Sequence, residues 1–439
     1  MSKNRFNING AVISHIKLPF HNEEDGGIDI AQSILEINLY EDITKPYITG
    51  TLLVLDDFGY LNNIRPRGTE RLYLEISTQE RESTIARTFV IDGVQQINYD
   101  NERRRILTLS ICDEMVYFSA LKKVEKSYTD APWVILMKIM REYLGVDCLP
   151  VFGDERSSDK AIKVIIPGLS PLQSIEWLRD RCTTSVGLPM YCYAKPYFSK
   201  PFLTDLHQIL DNNVVNIGKD FTMSRTGAAA DPQNQFDGDN IGTQIMDANF
   251  VNLQDNMKQI LNGAISGTHT MIDTSNALRR ETVFSMRDLI RNIYNKQIPL
   301  GRFQSIFDPL VEDDRWLSSQ VDQIHSSGTY VDEYGYYDSI DNGDNYRRMA
   351  CRAINSSMQR NVINIVIPGE YCMSSRSGVG DRFNLRFINS SQGGVQFRDR
   401  YDKVLSGEYI ALQMKHVFNT SGSHGIHAKL TKLSDYDGS

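Results

Sequence analysis

Residues 363–387 read INIVIPGEYCMSSRSGVGDRFNLRF, and the fold turns on how this stretch is understood. It places a Pro-Gly pair, a cysteine, a serine cluster and a Gly-Asp pair between two apolar runs. If Cys372 or Asp381 is a reacting group, the stretch borders an active site. If Ile363, Ile365 and Ile367 alternate with Val362, Asn364 and Val366 as a strand, Pro368–Gly369 ends that strand and Gly380–Asp381 turns the chain into a second one, RFNLRF. The rest of the chain decides between the two.

Upstream, residues 1–112 read as strand after strand. NINGAVISHIKL, SILEINLYEDI, YITGTLLVLDD, RLYLEIST, TIARTFVIDGVQQINY and RRRILTLSICD follow one another. In the second of these Ile34, Glu36, Asn38 and Tyr40 alternate with Leu35, Ile37 and Leu39, the period-two signal of a half-buried strand. YDNERRR, from Tyr99 to Arg105, reads as a polar hairpin turn. So many antiparallel strands in so short a segment predict a small closed barrel or a sandwich, because closure removes exposed edges.

From Asp113 the period changes. DAPWVILMKIMREYLG carries Val134, Met137, Ile139–Met140 and Leu144 at helical spacing, with Asp130 expected as N-cap, Pro132 in the first turn and Gly145 as C-cap. LSPLQSIEWLRDRCTTSVG predicts a second helix, capped by Ser170 and ended at Gly187. PMYCYAK and YFSKPFLT predict two short strands. Residues 113–217 are therefore expected to form an α+β insertion domain. The Gly-, Ala-, Asp- and Asn-rich segment 218–243 reads as an exposed linker or loop. Strand patterns return in 244–286 and again in 346–439, where VINIVIPGE, DRFNLRF, GEYIALQMKHVF and GIHAKLTKLS follow the helical YRRMACRAINSSMQR. Between them, 287–345 reads as an insertion of helix and polar loop. The expected class is α+β, mainly β, with two β-rich units that suggest duplication of one barrel.

The composition is that of a globular protein: 439 residues, 41% hydrophobic and 23% charged. Such a length exceeds what one core usually serves. Lys and Arg total 47 against 55 Asp and Glu, a net charge of −8, which argues against a protein that coats nucleic acid. A channel that nucleic acid passes through remains compatible with that balance. No apolar run reaches the ~18–20 residues that span a bilayer, and MSKNRFNING lacks the apolar core of a signal peptide. Synthesis in the cytoplasm is therefore expected. The six cysteines lack a C-x-x-C pair and read as buried hydrophobes or free thiols.

Several groups could carry chemistry. His416, His424 and His427 stand on either side of the NTSGS turn, where a hairpin could bring His416 opposite one of the others to bind a metal. The alternative is a strand with Ile426, Ala428 and Leu430 inward and His427 and Lys429 in water. Cys372 could be a nucleophile with His416 or His269 as base and Arg376 and Arg382 nearby. Glu23–Glu24, Asp56–Asp57 and Asp313–Asp314 are adjacent acid pairs, but neighbouring side chains diverge on helices and strands. Residues 338–345, DSIDNGDN, superficially resemble a calcium loop but lack its required glycine and glutamate. Tyr330, Tyr334, Tyr336 and Tyr337 form either a contact surface or a polar loop. No phosphate-binding loop, dinucleotide fingerprint, nucleophile elbow or zincin motif occurs. We expect no catalytic, cofactor-binding or metal-binding residue, and no cofactor.

The order of parts resembles the central baseplate hub of contractile-tailed bacteriophages and the tube-like part of type VI secretion spike proteins. INLYEDITKPYITGTLLVLDD (Ile37–Asp57), SPLQSIEWLRDRC (Ser170–Cys182), NLQDNMKQILNGAISGTHTMIDTSNALRRETVFSM (Asn252–Met286) and the final strands from Val362 to Phe418 carry the resemblance. It covers roughly 1–215 and 244–435, whereas 218–243 and 287–345 have no counterpart. The resemblance implies two tail-tube-like antiparallel β-barrels with α+β insertions. It further implies a homotrimer whose six barrels form a pseudo-sixfold ring, adapting a hexameric tail tube to a trimeric central spike. Implied partners are the spike, tube or tube-initiator proteins and wedge proteins, with a tape-measure protein or DNA passing through the lumen and no membrane insertion. The implied place is the virion tail baseplate, assembled in the host cytoplasm. A tail-associated cell-wall-degrading enzyme or a soluble carbohydrate-binding module are the alternatives. In the hub reading, Cys372 and Asp381 belong to a strand connection.

Overall fold

A computed structural model describes residues 11–18, 28–56, 59, 70–78, 84–101, 104–152, 161–179, 182–184, 187–211, 220–223, 244–253, 257, 261–273, 278–295, 323–326, 344–387, 401–402, 404–420 and 422–432. The first β-rich segment contributes β1 (Ala11–Leu18), β2 (Ile28–Asp29), β3 (Ile34–Asp42), β4 (Thr49–Leu55), β5 (Arg71–Thr78), β6 (Thr84–Asn101) and β7 (Arg104–Asp113). β3 shows how alternation and pairing interact. Ile37, Leu39 and Glu41 face inward, yet Ile34, of the other parity, is also buried, because the register with β4 shifts between Ile34 and Glu36. Such a bulge adds one residue and returns the strand to the core on the opposite parity.

Next come α1 (Glu114–Ala120), β8 (Ser127–Asp130), α2 (Pro132–Ile139), β9 (Leu149–Val151), β10 (Ile162–Ile165), α3 (Pro171–Arg179), β11 (Met190–Tyr193), β12 (Phe202–Asp205) and α4 (Leu206–Asp211). The N-cap of α2 is Ala131 and not Asp130. Pro132 at the first helical position forces the residue before it into extended backbone, so the boundary falls one residue later. Asp130 instead accepts the Ala131 N–H at 2.9 Å and pairs with Lys138. The helix continues through one π turn to Leu144 and ends at Gly145, whose φ of 69° is the left-handed cap. α3 opens on a capping box: Ser170 Oγ accepts from the Gln173 N–H at 3.4 Å, while Gln173 Oε1 accepts from the Ser170 N–H at 3.1 Å. Its described residues run to Arg179, the Cys182 N–H still donates to Leu178 O at 3.1 Å, and the bridge from Thr183 to Pro189 places the end of helical backbone before Gly187. Ser170→Ala should lower stability by about 1 kcal/mol in denaturant titrations.

The remaining elements are β13 (Phe221–Met223), β14 (Asp247–Asn252), β15 (Ser266–Asp273), β16 (Leu278–Ser285), α5 (Met286–Asn295), β17 (Gln323–Ser326), α6 (Asp344–Ser357), β18 (Val362–Pro368), α7 (Glu370–Ser375), β19 (Arg382–Phe387), β20 (Gly407–Asn419) and β21 (His424–Lys432). β13 lies inside the segment read as a linker. It pairs in parallel with β19 and buries Phe221 completely. Residues 218–219 and 224–243, the tyrosine cluster and residues 338–343 lie outside the described residues.

The stretch 363–387 is not a simple hairpin. β18 and β19 are separated by two intervening strands, in the order β18-β21-β20-β19, and are joined by α7 and a turn in which Arg376 adopts φ 55°.

The two β-rich segments share one 13-stranded sheet, whose main path runs β14-β18-β21-β20-β3-β4-β7-β6-β5-β1-β2; β15 and β16 stand outside it, in a three-stranded sheet with β17 from the segment read as an insertion. β20 is the splice. Its first residues, 407–410, pair with β19, and 413–419 pair with β3 of the first segment. Among the described residues the pairings follow an open path and do not close into a circuit. Two apolar cores lie beneath this sheet. One is built on Ile37, Leu39, Leu52, Leu74, Phe89 and Leu109, the other on Ile363, Ile365, Phe383, Met414 and Ile426. A third core holds the α+β module together around Ile135, Leu136, Ile139 and Leu178.

Candidate functional site

From β14 to β6 the open face of the sheet is mainly polar. Residues directly opposite one another share a face, so the register traces rows across it. One row runs Asn249, Asn364, Lys429, Gln413, Asp42. The next runs Asp247, Val366, His427, Lys415, Tyr40, Thr49. Further along come Val417, Asn38, Thr51, Ser110, and then Asn419, Glu36, Leu53, Thr108, Gln96. Amides and hydroxyls dominate, and the few charges carry both signs. Cross-strand contacts tie the rows together: Gln413 Nε2 donates to Asp42 Oδ2 at 2.7 Å, Asn38 Nδ2 to Thr51 Oγ1 at 3.2 Å, and Lys415 Nζ lies 5.8 Å from the centre of the Tyr40 ring. Where β20 passes from one half to the other the face dips into a groove of about 640 Å³ bordered by Lys45, Tyr47, Asn249, Asn364 and Lys415.

Behind this face, a line of buried polar groups marks where the two sheet cores meet. Along β3 the inward residues are Leu39 of the first core, Glu41, then Ile43 beyond the strand, of the second. Along β20 they are Phe418, His416 and Met414, in the same order. His424 on β21 lies opposite Phe418. His416 Nε2 is 2.5 Å from Glu41 Oε1, and His416 Nδ1 is 3.2 Å from His424 Nε2. Glu41 Oε2 accepts the Val379 N–H at 3.0 Å. His424 stacks on Phe418 at 4.1 Å, and its Nδ1 is buried without a hydrogen-bond partner. Burial, with His416 adding to it, holds the His424 imidazole well below its ordinary range.

The module closes this seam from outside. Lys195 Nζ donates to Asp381 Oδ2 at 2.7 Å, and Asp381 Oδ2 also accepts the Gly378 N–H at 2.9 Å. Tyr197 meets the His416 ring edge-on at 6.1 Å.

The residues singled out in the sequence are thus only partly brought together. His416 and His424 meet, whereas His427 projects from the opposite face into solvent. Glu41, His416 and His424 form a line, in which His416 uses both ring nitrogens. Among the described residues no three His, Cys, Asp or Glu side chains form a metal-binding group. Cys372 is fully buried, and desolvation, followed by the charges of Asp381 and Glu41, pushes its thiol well up, away from the reactive thiolate. His269 lies on β15, in the separate three-stranded sheet. Arg376 caps α7, and Arg382 pairs with Glu408 at 2.7 Å. Asp56 pairs with Arg105 at 2.9 Å; Asp57, Glu23–Glu24 and Asp313–Asp314 lie outside the described residues. Glu41 escaped the sequence reading, although its parity with Ile37 and Leu39 is the signal of a carboxylate pointing inward.

No protein-family model matches the chain, and no curated protein matches it. Solved structures do. The tail protein from Neisseria meningitidis MC58 superposes with a TM-score of 0.52 at 10% identity, over 97% of this chain and 98% of that one. The 43 kDa tail protein of prophage MuSo2 from Shewanella oneidensis gives 0.53 at 10% identity, over 96% and 99%. The chain has the fold of these phage tail proteins along nearly its whole length.

Proposed function

We propose that this chain is a structural virion protein of a contractile phage tail, the baseplate hub, acting as a homotrimeric ring between a hexameric tail tube and a trimeric central spike. The observation that carries this reading is the continuous sheet whose polar, charge-balanced face crosses both β-rich halves. A channel wall needs such a face. Phosphates bind tightly where many cations gather, and a wall of amides with charges of both signs offers a passing polyanion or protein no such grip.

The strand count supports a ring. From β14 to β6 the path contains eight strands, each antiparallel to the next. An even number lets the stretch of β6 beyond Val90, where its pairing with β5 ends, stand antiparallel to β14 of the next copy, so the alternation persists around a closed ring. Ile97 and Tyr99 on β6, 44% and 73% exposed, and Met246 and Val251 around β14, 51% and 50% exposed, are the apolar groups that contact would cover.

In this reading residues 1–112 form the first tube-like unit, 113–217 an insertion domain and 218–243 a connection. Residues 244–286 with 346–439 form the second tube-like unit, interrupted by 287–345. Each tube-like unit contributes one of six similar positions in the ring. The role is non-enzymatic, and the place is the tail baseplate of the virion. Partners are the spike, tube or tube-initiator and wedge proteins, with a tape-measure protein or DNA passing through the lumen.

Light scattering on the purified chain should give three times the monomer mass. Electron-microscopic top views should show a ring with six similar lobes. A monomer that clears cell walls and loses that activity on a single Glu or Cys substitution would overturn the proposal, and so would a monomer that binds glycans.

A further inference from the structure

The seam between the two sheet cores has no part in lining a channel, yet it concentrates the protein's most unusual buried chemistry. Apolar residues would close such a boundary at lower desolvation cost. Instead Glu41, His416 and His424, at 2%, 0% and 3% exposure, run diagonally across three adjacent strands, β3, β20 and β21. The titratable groups facing them are Lys195, Tyr193 and Tyr197 from the module, Cys372 from α7 and Asp381 from the turn before β19.

We propose that this seam is an acid-sensitive latch between the two β-rich halves: a second proton taken up by the Glu41–His416–His424 line loosens the contact between them while each half's own core stays closed.

The charges decide the direction. Glu41 and Asp381 are two carboxylates against one ammonium, Lys195. One proton on the histidine line completes neutrality. A second has no counter-charge; because His416 Nδ1 and His424 Nε2 share one N–H, it would break that hydrogen bond and leave His424 charged, its Nδ1–H without an acceptor. An uncompensated charge in a closed apolar boundary is strongly unfavourable. His424 binds a proton less readily here than in open chain, where imidazole titrates near 6.5. The opened form therefore takes up the proton first, and the latch is intact above about pH 6.5 and weakens as pH falls below it.

The local structure favours opening at this place. The turn 377–381 reaches the first half through one backbone hydrogen bond, the Val379 N–H to Glu41, and the module through Lys195 to Asp381, while the Gly380 N–H to Ala411 O at 2.9 Å and the Ala411 N–H to Asp381 O at 3.0 Å tie it to its own half.

Hydrogen–deuterium exchange on the full chain between pH 8 and pH 5, corrected for intrinsic rates, tests the proposal. Amides of Val379 and of the strand stretches paired across the seam, 37–42 and 413–419, should open about tenfold more per pH unit below ~6.5, while those of β7 and β18 keep their protection. His424→Asn, which keeps a polar side chain but takes up no proton, should abolish the dependence. Seam amides indifferent to pH in the wild type, or equally pH-dependent in His424→Asn, would overturn it. Should that variant fail to fold, imidazole NMR of the wild type decides. His424 must titrate over the range in which the seam opens; opening without that titration would refute the latch.

Discussion

Replacing Arg87 by Met should lower the free energy of unfolding by about 3–5 kcal/mol, the range for removing one partner of a buried ion pair. Arg87 projects from β6 and makes four contacts with one guanidinium. Its Nε and Nη2 donate to Asp113 Oδ1 and Oδ2 at 3.1 and 2.7 Å. Its Nη1 donates to the carbonyls of Lys195 and Phe198 at 3.0 and 2.8 Å. Only 9% of the Arg87 side chain and 6% of Asp113 are exposed. The residue therefore fastens the first β-rich segment to the module that covers the seam. Asp113 also accepts the Ile48 N–H at 2.7 Å, so the carboxylate that Arg87 neutralises holds the entry to β4 as well. Burial already pushes the Asp113 carboxyl up, with Arg87 opposing it, and without Arg87 the carboxyl would bind a proton more readily. The measurement is urea denaturation of wild type and variant at one pH. Arg87→Met combined with Asp113→Leu should recover part of the loss, because no unpaired charge is left inside. A single-variant cost under about 1 kcal/mol, the value of an exposed pair, would show that the clamp does not hold the two parts together.

Gly369→Ala should be the second severe substitution, and its cause is steric. Gly369 has φ −85°, so its backbone suits any residue. A Cβ at this position, however, would lie inside the van der Waals envelope of the His424 imidazole, against Nδ1, Cε1 and Cγ. The ring has little room to retreat, since it is stacked on Phe418 and bonded to His416. Overpacking of this kind costs about 1–3 kcal/mol or more. Gly369→Ala should therefore lower the midpoint of thermal unfolding. His424→Ala in the same chain should relieve part of the loss, because it removes the atoms in the way. Equal destabilisation with and without the ring would contradict this account.

These two residues show where sequence reading reached and where it stopped. Pro368–Gly369 was legible as the end of a strand, and Ile363, Ile365 and Ile367 face inward as their alternation requires. The helix α7 between the two strands was not legible, since six residues with a serine pair carry too short a period to register. Nor was the pairing order. Local alternation states which face of a strand is inward, but the partner is set by strands such as β20 and β21, far along the chain. The same division holds for His416. Its parity with Met414 and Phe418 marks it as inward, while its bond to Glu41 spans 375 positions in sequence.

By itself, then, the sequence determined the mainly β class, the helical module between the β-rich segments, the inward and outward faces of most strands, and the caps at Ser170 and Gly145. These follow from period, turn chemistry and capping, which act over a few residues. Only the tertiary structure decided that the two β-rich segments share one sheet, that β20 pairs with both halves, and that Glu41, His416 and His424 meet on the boundary between their cores. Such contacts arise from packing between distant segments, where burial and hydrogen-bond satisfaction select the partner and local propensity has no preference.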